Sequence, residues 1–263
     1  MTDKHRWYTT QLGAGLGLIE ETRSLLEIWQ PAMDPASFYQ AALRSGRFPN
    51  VSARRLRNIV IECFAPRYLV QNGLPARHLK KLEHALTSQE LGQLLFLYTC
   101  RANLILTDFV RQVYWHRYAA GYEAVSNKDA NAFAAQAVRD GKTQKLWSDN
   151  MIDKVASYLT GCCGDYGLLE KGPKSERKIL PFRVETRVAA YLAYDLHGAG
   201  LGDNSVMSHE DWSLFGLERN DVRDEFKRLS LQGYVIIQSA GEVTRISWHY
   251  TSLEALTDVI AQS

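Results

Sequence analysis

The residues best suited to bind a charged ligand are basic ones, and they concentrate in one stretch of 38 positions. Nine lysines and arginines lie there beside a single acid, Glu62, so the stretch carries a formal charge of +8. Such side chains neutralise phosphate groups whatever the base sequence. We predict that they bind a polyanion; they are Arg44, Arg47, Arg54, Arg55, Arg57, Arg67, Arg77, Lys80 and Lys81. The alternative is a solvated face whose arginines pair with acids elsewhere.

The middle of this stretch has the clearest helical periodicity in the chain. Residues 51–64 are apolar at i, i+3, i+4, i+7 and i+8, which predicts a helix that Asn50 or Ser52 caps and Pro66 ends. The polar side chains opposite the apolar stripe or on its flanks are Arg54, Arg55, Arg57 and Asn58. Asn58 therefore joins the predicted contacts.

A second candidate surface lies between residues 126 and 184. Helices over 130–139 and 149–159 precede two strands, Leu168–Glu170 and Lys178–Val184. Helix, turn, helix and β-hairpin is the order of a winged helix-turn-helix, which places its second helix in the major groove. The predicted DNA contacts are Asn150, Lys154, Ser157, Lys171, Lys174, Arg177 and Lys178. Asp153 on the same face opposes tight docking, and winged helices also serve as protein–protein modules.

The same order of elements repeats in residues 185–263. Helices are predicted over 185–196, 209–215 and 220–231, then a hairpin of strands 234–238 and 243–248, then a helix over 251–261. The helix over 220–231 and the residues just before it hold as many acids as bases, and pairs such as Asp224 with Arg228 occupy part of its surface. Contact with a protein is favoured there at least as much as contact with DNA.

These elements predict a mainly α protein. An α-helical domain with a basic helix face covers 1–125, a winged helix-like unit covers 126–184, and a second such unit covers 185–263. Within the first domain, a turn at residues 72–75 separates two helices. A long apolar helix then runs from Ser88 towards Tyr118.

No pattern in the chain is typical of catalysis or cofactor binding. The seven histidines are scattered without a metal-ligand spacing, and no G-x-S-x-G motif occurs. Gly141-Lys142-Thr143 would end a P-loop only if position 136 were glycine, and it is Gln136. The pentapeptide GAGLG at 13–17 and 198–202 is typical of a helix-end loop. We predict no enzyme activity, no cofactor, no metal and no small-molecule substrate.

The cysteines and the apolar runs predict a cytoplasmic protein. The four cysteines have no C-x-x-C spacing, which favours free, packed thiols in a reducing compartment. The most apolar run, Leu94–Leu106, is 13 residues long and contains Arg101. A bilayer span needs about 20 such residues, so no membrane partner is expected.

Three segments carry a resemblance to a known family. YTTQLGAGLGLIEETRSLLEIW, RSGRFPNVSARRLRNIVIECFAPRYL and LLFLYTCRANLILTDFV are similar to the BrxA proteins of bacterial BREX (bacteriophage exclusion) phage-defence islands. The resemblance implies a non-enzymatic cytoplasmic component with helix-turn-helix architecture that binds double-stranded DNA and works beside other BREX proteins. It carries over no catalytic motif.

The charge pattern and the resemblance together predict a double-stranded DNA-binding accessory protein that contacts mostly phosphates and has weak sequence preference. One alternative is a protein–protein scaffold in which the winged units bind other defence proteins. A second is an RNA-binding helical protein, because basic helices also neutralise RNA phosphates. A homodimer is left open.

Overall fold

The chain is mainly helical, with two small antiparallel sheets, as predicted. A computed structural model describes residues 7–10, 17–172, 175–240 and 243–262. Contacts divide the chain into two units, one formed by Met1–Arg77 with Leu95–Phe182 and the other by His78–Leu94 with Arg183–Ser263. The division into three domains stays a prediction.

Three helices open the described part of the first unit: α1 (Ile19–Ile28), α2 (Pro35–Arg44) and α3 (Ala53–Asn58). Asp34 caps α2 by accepting hydrogen bonds from two backbone N–H groups at 2.8 Å. Ser52 caps α3, as predicted, and accepts from the N–H of Arg55 at 3.3 Å. Such caps satisfy the free N–H groups at a helix start.

The prediction that Pro66 ends the helix begun by α3 is wrong. A π-helical segment, Ile59–Phe64, follows α3 and leads directly into α4 (Ala65–Tyr68). In an ordinary α-helix the proline ring clashes with the preceding turn. Here the N–H of Ala65 bonds the carbonyl of Val60, five residues back, and this wider turn accommodates the ring.

The predicted turn at 72–75 is confirmed, within α5 (Val70–Leu82). Gln71, Asn72 and Gly73 have left-handed conformations with φ of 51°, 57° and 74°, so α5 is two helical pieces on either side of a kink. A Cβ atom on Gly73 would lie 2.7 Å from the ring of Trp29, which is buried. Only glycine fits this position.

The single long helix predicted from Ser88 is wrong. The chain forms α6 (Ser88–Ala102) and α7 (Leu104–Phe109), then a π-helical segment (Val110–Tyr114) and α8 (Trp115–Ala119). Asn103 interrupts the run with φ −131° and ψ 92°, and its side chain donates to the carbonyl of Thr99 at 2.8 Å. Thr107 donates to the carbonyl of Cys100 at 2.8 Å. These side chains satisfy carbonyls that the end of α6 leaves free.

The rest of the first unit contains β1 (Ala124–Ser126), α9 (Asn127–Arg139), α10 (Asp149–Asp165) and β2 (Glu176–Lys178). β1 pairs antiparallel with β2, Val125 opposite Arg177. Residues 178–180 also bond the segment 168–170. The N–H of Glu170 bonds the carbonyl of Lys178 at 2.9 Å, and the N–H of Leu180 bonds the carbonyl of Leu168 at 3.0 Å. The predicted hairpin is present only in part: Leu168–Glu170 forms no strand and contributes these two bonds and an isolated bridge of Leu169 with Ile179. The strand β2 spans Glu176–Lys178 and pairs with β1, and residues 181–185 lie in no strand.

The second unit contains α11 (Thr186–Gly198), α12 (Asp203–Met207), a 3₁₀ helix (Glu210–Phe215) and α13 (Arg219–Leu231). They are followed by β3 (Val235–Ala240), β4 (Val243–Trp248) and α14 (Leu253–Gln262). β3 and β4 pair antiparallel. The hydroxyl of Tyr194 donates to the carbonyl of Tyr234 at 2.6 Å and accepts from the N–H of Tyr250 at 3.0 Å. Tyr194 thereby fixes both ends of the hairpin to α11.

No helix within the described ranges is long and apolar enough to cross a membrane. The second GAGLG segment, residues 198–202, follows α11 as a helix-end loop, as predicted. The first lies outside the described residues except for Gly17. All four cysteines are buried free thiols, which confirms their predicted packing.

Buried tyrosines should make the unfolding free energy fall at alkaline pH. Burial raises the pKa of Tyr114, and a neighbouring thiol, Cys163, raises it further. In the unfolded chain the pKa is about 10. The stabilisation is therefore complete below that pH and is lost as the pH rises towards the folded-state pKa. Relative to wild type, Tyr114→Phe should gain up to about 1.4 kcal/mol per pH unit above pH 10.

The measurement is urea unfolding at a series of pH values from neutral to alkaline. Tyr122→Phe is the matched control, because the ring of Tyr122 is 56% exposed. If Tyr114→Phe and wild type lose stability in parallel above pH 10, Tyr114 does not contribute to the alkaline transition.

Candidate nucleic-acid interface

In the described part of the first unit, the largest group of exposed basic side chains without an acidic partner lies on α3. Arg54, Arg55 and Arg57, which we call the arginine face, are all exposed, while Leu56 between them is buried. α2 packs against α3, and the hydroxyl of Tyr39 bonds the carbonyl of Ala53 at 3.3 Å. Within the described chain no acid forms an ion pair with any arginine of this face.

Other members of the predicted basic stretch have different surroundings. Arg44, at the end of α2, is exposed and has no ion pair with a described residue. Arg47 pairs with Glu27. Arg77 is exposed at the end of the first segment of the first unit, and Asn58 is half-buried at the end of α3.

The stretch is divided between the two units. Lys80 and Lys81 belong to the second unit, where Lys81 pairs with Asp258 of α14 and Lys80 is half-buried. The arginine face with Arg44 is thus the largest exposed, unpaired part of the predicted site.

Arg67 is not available to DNA, which corrects the prediction that it binds there. Only 2% of its surface is exposed, and it lies close to Tyr68, Tyr166, Cys63 and Cys162. Because the helix continues through Pro66, position 67 continues the buried stripe of the residues before it. The i, i+4 spacing from Cys63 was the signal in the sequence, and the assumed helix end at Pro66 concealed it.

Arg177 is also buried, with 8% of its surface exposed, which corrects the prediction that it contacts DNA from the wing. It is the middle residue of β2, between Glu176 and Lys178. Its Nη1 donates to the carbonyl of Glu170 at 3.2 Å. A Cβ atom on Gly164 would approach that nitrogen to 3.2 Å. Lys171 and Lys178 are exposed. Lys174 lies outside the described residues.

The predicted polar face of α10 is exposed. Asn150, Lys154 and Ser157 lie on it, while the opposite side of the helix is buried. Asp153, on the same face, accepts a hydrogen bond from the side chain of Asn131 on α9 at 2.6 Å. α9 itself begins with a capping box in which Ser126 and Asp129 bond each other's backbone N–H groups. This fixes the start of the helix that packs on α10.

Two exposed residues that the sequence analysis missed lie in the turn between α9 and α10. Lys145 is exposed and has no ion pair within the described ranges, and Leu146 is 88% exposed. An isolated lysine and leucine in a turn have no periodicity, so no sequence pattern marked them.

The same turn is held by a residue far away in the chain, Tyr8. Its N–H bonds the carbonyl of Lys142 at 2.9 Å, and it forms a parallel bridge with Thr143. Its hydroxyl donates to Asp108, and its ring stacks on Phe133 of α9 at 6.3 Å. Sequence analysis missed this contact because the partners lie more than a hundred positions apart.

The charges of α13 neutralise one another, although not in the predicted pairs. Lys227 pairs with Asp224 at 2.7 Å, and Arg228 pairs with Glu225 at 2.6 Å. Arg228 also donates to the hydroxyl of Thr186 at 3.0 Å. The predicted pair of Asp224 with Arg228 is therefore wrong, because each partner has a neighbour three residues away.

The described residues contain no group of three or more His, Cys, Asp or Glu side chains that could hold a metal ion. The buried thiols lie in an apolar setting rather than an activating one. Burial raises the pKa of Cys162 to about 12 despite the nearby Arg67. A thiol with this pKa stays protonated at neutral pH, and the thiolate is the reactive form.

Comparison with known proteins identifies a family and a similar fold. A model of the BrxA family matches residues 6–195. A crystal structure of an uncharacterized protein from Magnetospirillum magneticum is similar, with a TM-score of 0.58 and 15% sequence identity over 72% of this chain and 94% of that one. At this identity the similarity shows a shared fold. No curated protein matches.

Tyr8→Phe should loosen the turn between α9 and α10. The variant keeps the ring but removes the hydroxyl that donates to Asp108. A hydrogen bond to a charged group contributes about 1.5–3 kcal/mol, so we expect a loss of that size in the unfolding free energy. Faster hydrogen exchange at the N–H of Tyr8 should accompany it. Tyr118→Phe is the control, and equal stability of the two variants would contradict a role for this bond.

Proposed function

Because the chain belongs to the BrxA family, and is thereby indicated as a component of a BREX phage-defence system, we propose that it is a non-enzymatic protein that binds double-stranded DNA in the cytoplasm. The observation that carries the proposal is the arginine face of α3. Three exposed guanidinium groups lie within four positions, and no described acid pairs with any of them.

Phosphate is the ligand that best fits such a surface. Arginine stays charged at every physiological pH and can donate two parallel hydrogen bonds to a phosphate. Exposed Arg44 on the adjoining helix α2 adds a fourth charge. Contacts of this kind supply sequence-independent affinity that weakens as the salt concentration rises.

The second half of the first unit supports the same function. β1, α9, α10 and the short antiparallel contact of 168–170 with 178–180 follow one another in the order of a winged helix. In that motif the second helix enters the major groove and the hairpin lies along the backbone. α10 would then be the recognition helix, and exposed Lys171 and Lys178 would contact phosphates.

A scaffold role is the second candidate, and the surface of the second unit favours it. Two of the four basic residues of α13, Lys227 and Arg228, are paired with acids of the same helix. Two large apolar side chains nearby in sequence are exposed, Leu231 by 85% and Ile236 by 59%. Exposed apolar side chains without excess positive charge fit a protein partner better than DNA. Other BREX proteins are the proposed partners.

Replacing the arginine face should flatten the salt dependence of DNA binding. We expect affinity for a random duplex to fall about a thousand-fold between about 50 and about 200 mM salt, as for roughly six phosphate contacts. The triple variant Arg54→Ala, Arg55→Ala, Arg57→Ala should reduce the slope of log affinity against log salt by about 2–3, one for each lost contact. Gel-shift titration measures both.

The control variant removes three exposed charges from the second unit: Arg219→Ala, Lys227→Ala and Arg245→Ala. It loses the same formal charge and should keep the wild-type slope. If the two triple variants behave alike, α3 is not the contact. If wild type binds no duplex at either salt, the scaffold role replaces DNA binding, and tighter binding of structured RNA than of duplex DNA would assign the basic face to RNA.

A further inference from the structure

Leu146 is more exposed than any other large hydrophobic side chain in the described residues, at 88%. Exposed leucines are common at protein surfaces and need no explanation when they stand alone. This one lies three positions before α10, between exposed Lys145 and half-buried Trp147. In helix-turn-helix proteins the residues around the start of the second helix are those that reach the base edges.

The backbone on both sides of Leu146 is held in place. On one side, the bond from Tyr8 to the carbonyl of Lys142 and the bridge to Thr143 anchor the turn. On the other side, the carbonyl of Ser148 accepts from the N–H groups of Met151 and Ile152 at 2.8 and 2.9 Å, which begins α10. A side chain presented from a fixed turn loses less entropy on binding than one on a mobile loop.

Asn150 lies four positions after Leu146, in the first turn of α10. Its side chain is exposed and forms no hydrogen bond within the described part of the chain. An asparagine carboxamide has a donor and an acceptor side by side, the arrangement that matches N7 and N6 of adenine in the major groove. The C5-methyl group of the paired thymine is the apolar feature of the same groove, and an aliphatic side chain can contact it.

The charges around these two residues favour base edges over phosphates. Lys145 is exposed in the turn before α10, and Lys154 is exposed on the polar face of α10. Asp149 and Asp153 are exposed beside them, at the start and on the same face of the helix. The two acids offset the two lysines, so this surface adds little attraction to the DNA backbone. In DNA-binding proteins, phosphate contacts position the protein and base contacts provide selectivity.

From these observations we propose that the α9–α10 turn and the start of α10 recognise A·T base pairs, with Leu146 against the thymine methyl group and Asn150 on adenine. This inference rests on the proposed function. It assigns affinity to the arginine face and selectivity to α10. It also revises the expectation of weak sequence preference to a preference for A·T pairs at the groove that α10 enters.

The test compares three duplexes of equal length in fluorescence anisotropy at one salt concentration. One is rich in A·T pairs, the second is identical but has uracil in place of thymine, and the third is rich in G·C pairs. Uracil lacks only the C5-methyl group, so the first two duplexes present the same hydrogen-bonding groups. Wild type should bind the thymine duplex about four-fold more tightly than the uracil duplex for each methyl group contacted.

Two variants separate the two contacts. Leu146→Ala should bind the thymine and uracil duplexes equally while keeping the wild-type affinity for the uracil duplex. Asn150→Ala should lose the preference for the uracil duplex over the G·C duplex, a change of about five-fold or more. Leu231→Ala is the matched control, because it removes a leucine that is 85% exposed in the second unit. Melting temperatures verify that each variant folds.

The outcomes distinguish this inference from the proposed function. Tight binding with equal affinity for all three duplexes would overturn A·T recognition and leave DNA binding intact. Discrimination that survives in both Leu146→Ala and Asn150→Ala would also overturn it, since other residues would then be responsible. Wild-type protein that binds none of the duplexes would overturn both.

Discussion

The first unit depends on a buried contact between the segment before α1 and the end of α10. The N–H of Gly17 donates to the carboxylate of Asp165 at 2.8 Å, and the hydroxyl of Tyr166 donates to the carbonyl of Gly17 at 3.0 Å. Since a hydroxyl has one hydrogen, the 2.7 Å contact between Tyr166 and Thr99 must be donated by the threonine. A Cβ atom at position 17 would lie 2.5 Å from that of Asp165, so glycine is required for the contact to form.

This contact joins the two parts of the first unit that are proposed to bind DNA. The arginine face belongs to the N-terminal helices and the recognition surface to α10, and residues 17 and 165 connect these segments across 148 positions of chain. Arg67, buried close to Tyr166 and Cys162, lies beside the same contact. Arg67 therefore packs inside this unit, whereas the exposed arginines of α3 are the ones proposed to bind phosphate, and burial separates the two groups.

Sequence analysis was accurate where structure is determined locally and failed where distant segments decide it. Apart from α12, which was not predicted, the elements of the second unit follow their predicted order because their periodicities and glycine turns lie within short windows. The break at Asn103 was missed because apolar residues continue on both sides of it, and Pro66 was misjudged because a π-helical turn accommodates it. The burial of Arg177 and the anchoring of the α9–α10 turn by Tyr8 depend on partners that no local pattern indicates.

The charge distribution differs between the two units in the way that the two proposed roles require. In the first unit, the exposed arginines of α3 have no described acid to pair with, so their charge is directed to solvent and any polyanion in it. On α13 of the second unit, each of two bases has an acid three positions earlier on the same helix. Such pairs weaken attraction to phosphate but leave neighbouring apolar side chains free to be buried against a protein. Exposed arginines without an acidic partner in one unit, and paired charges beside exposed apolar side chains in the other, are what the proposed DNA-binding and partner-binding roles require.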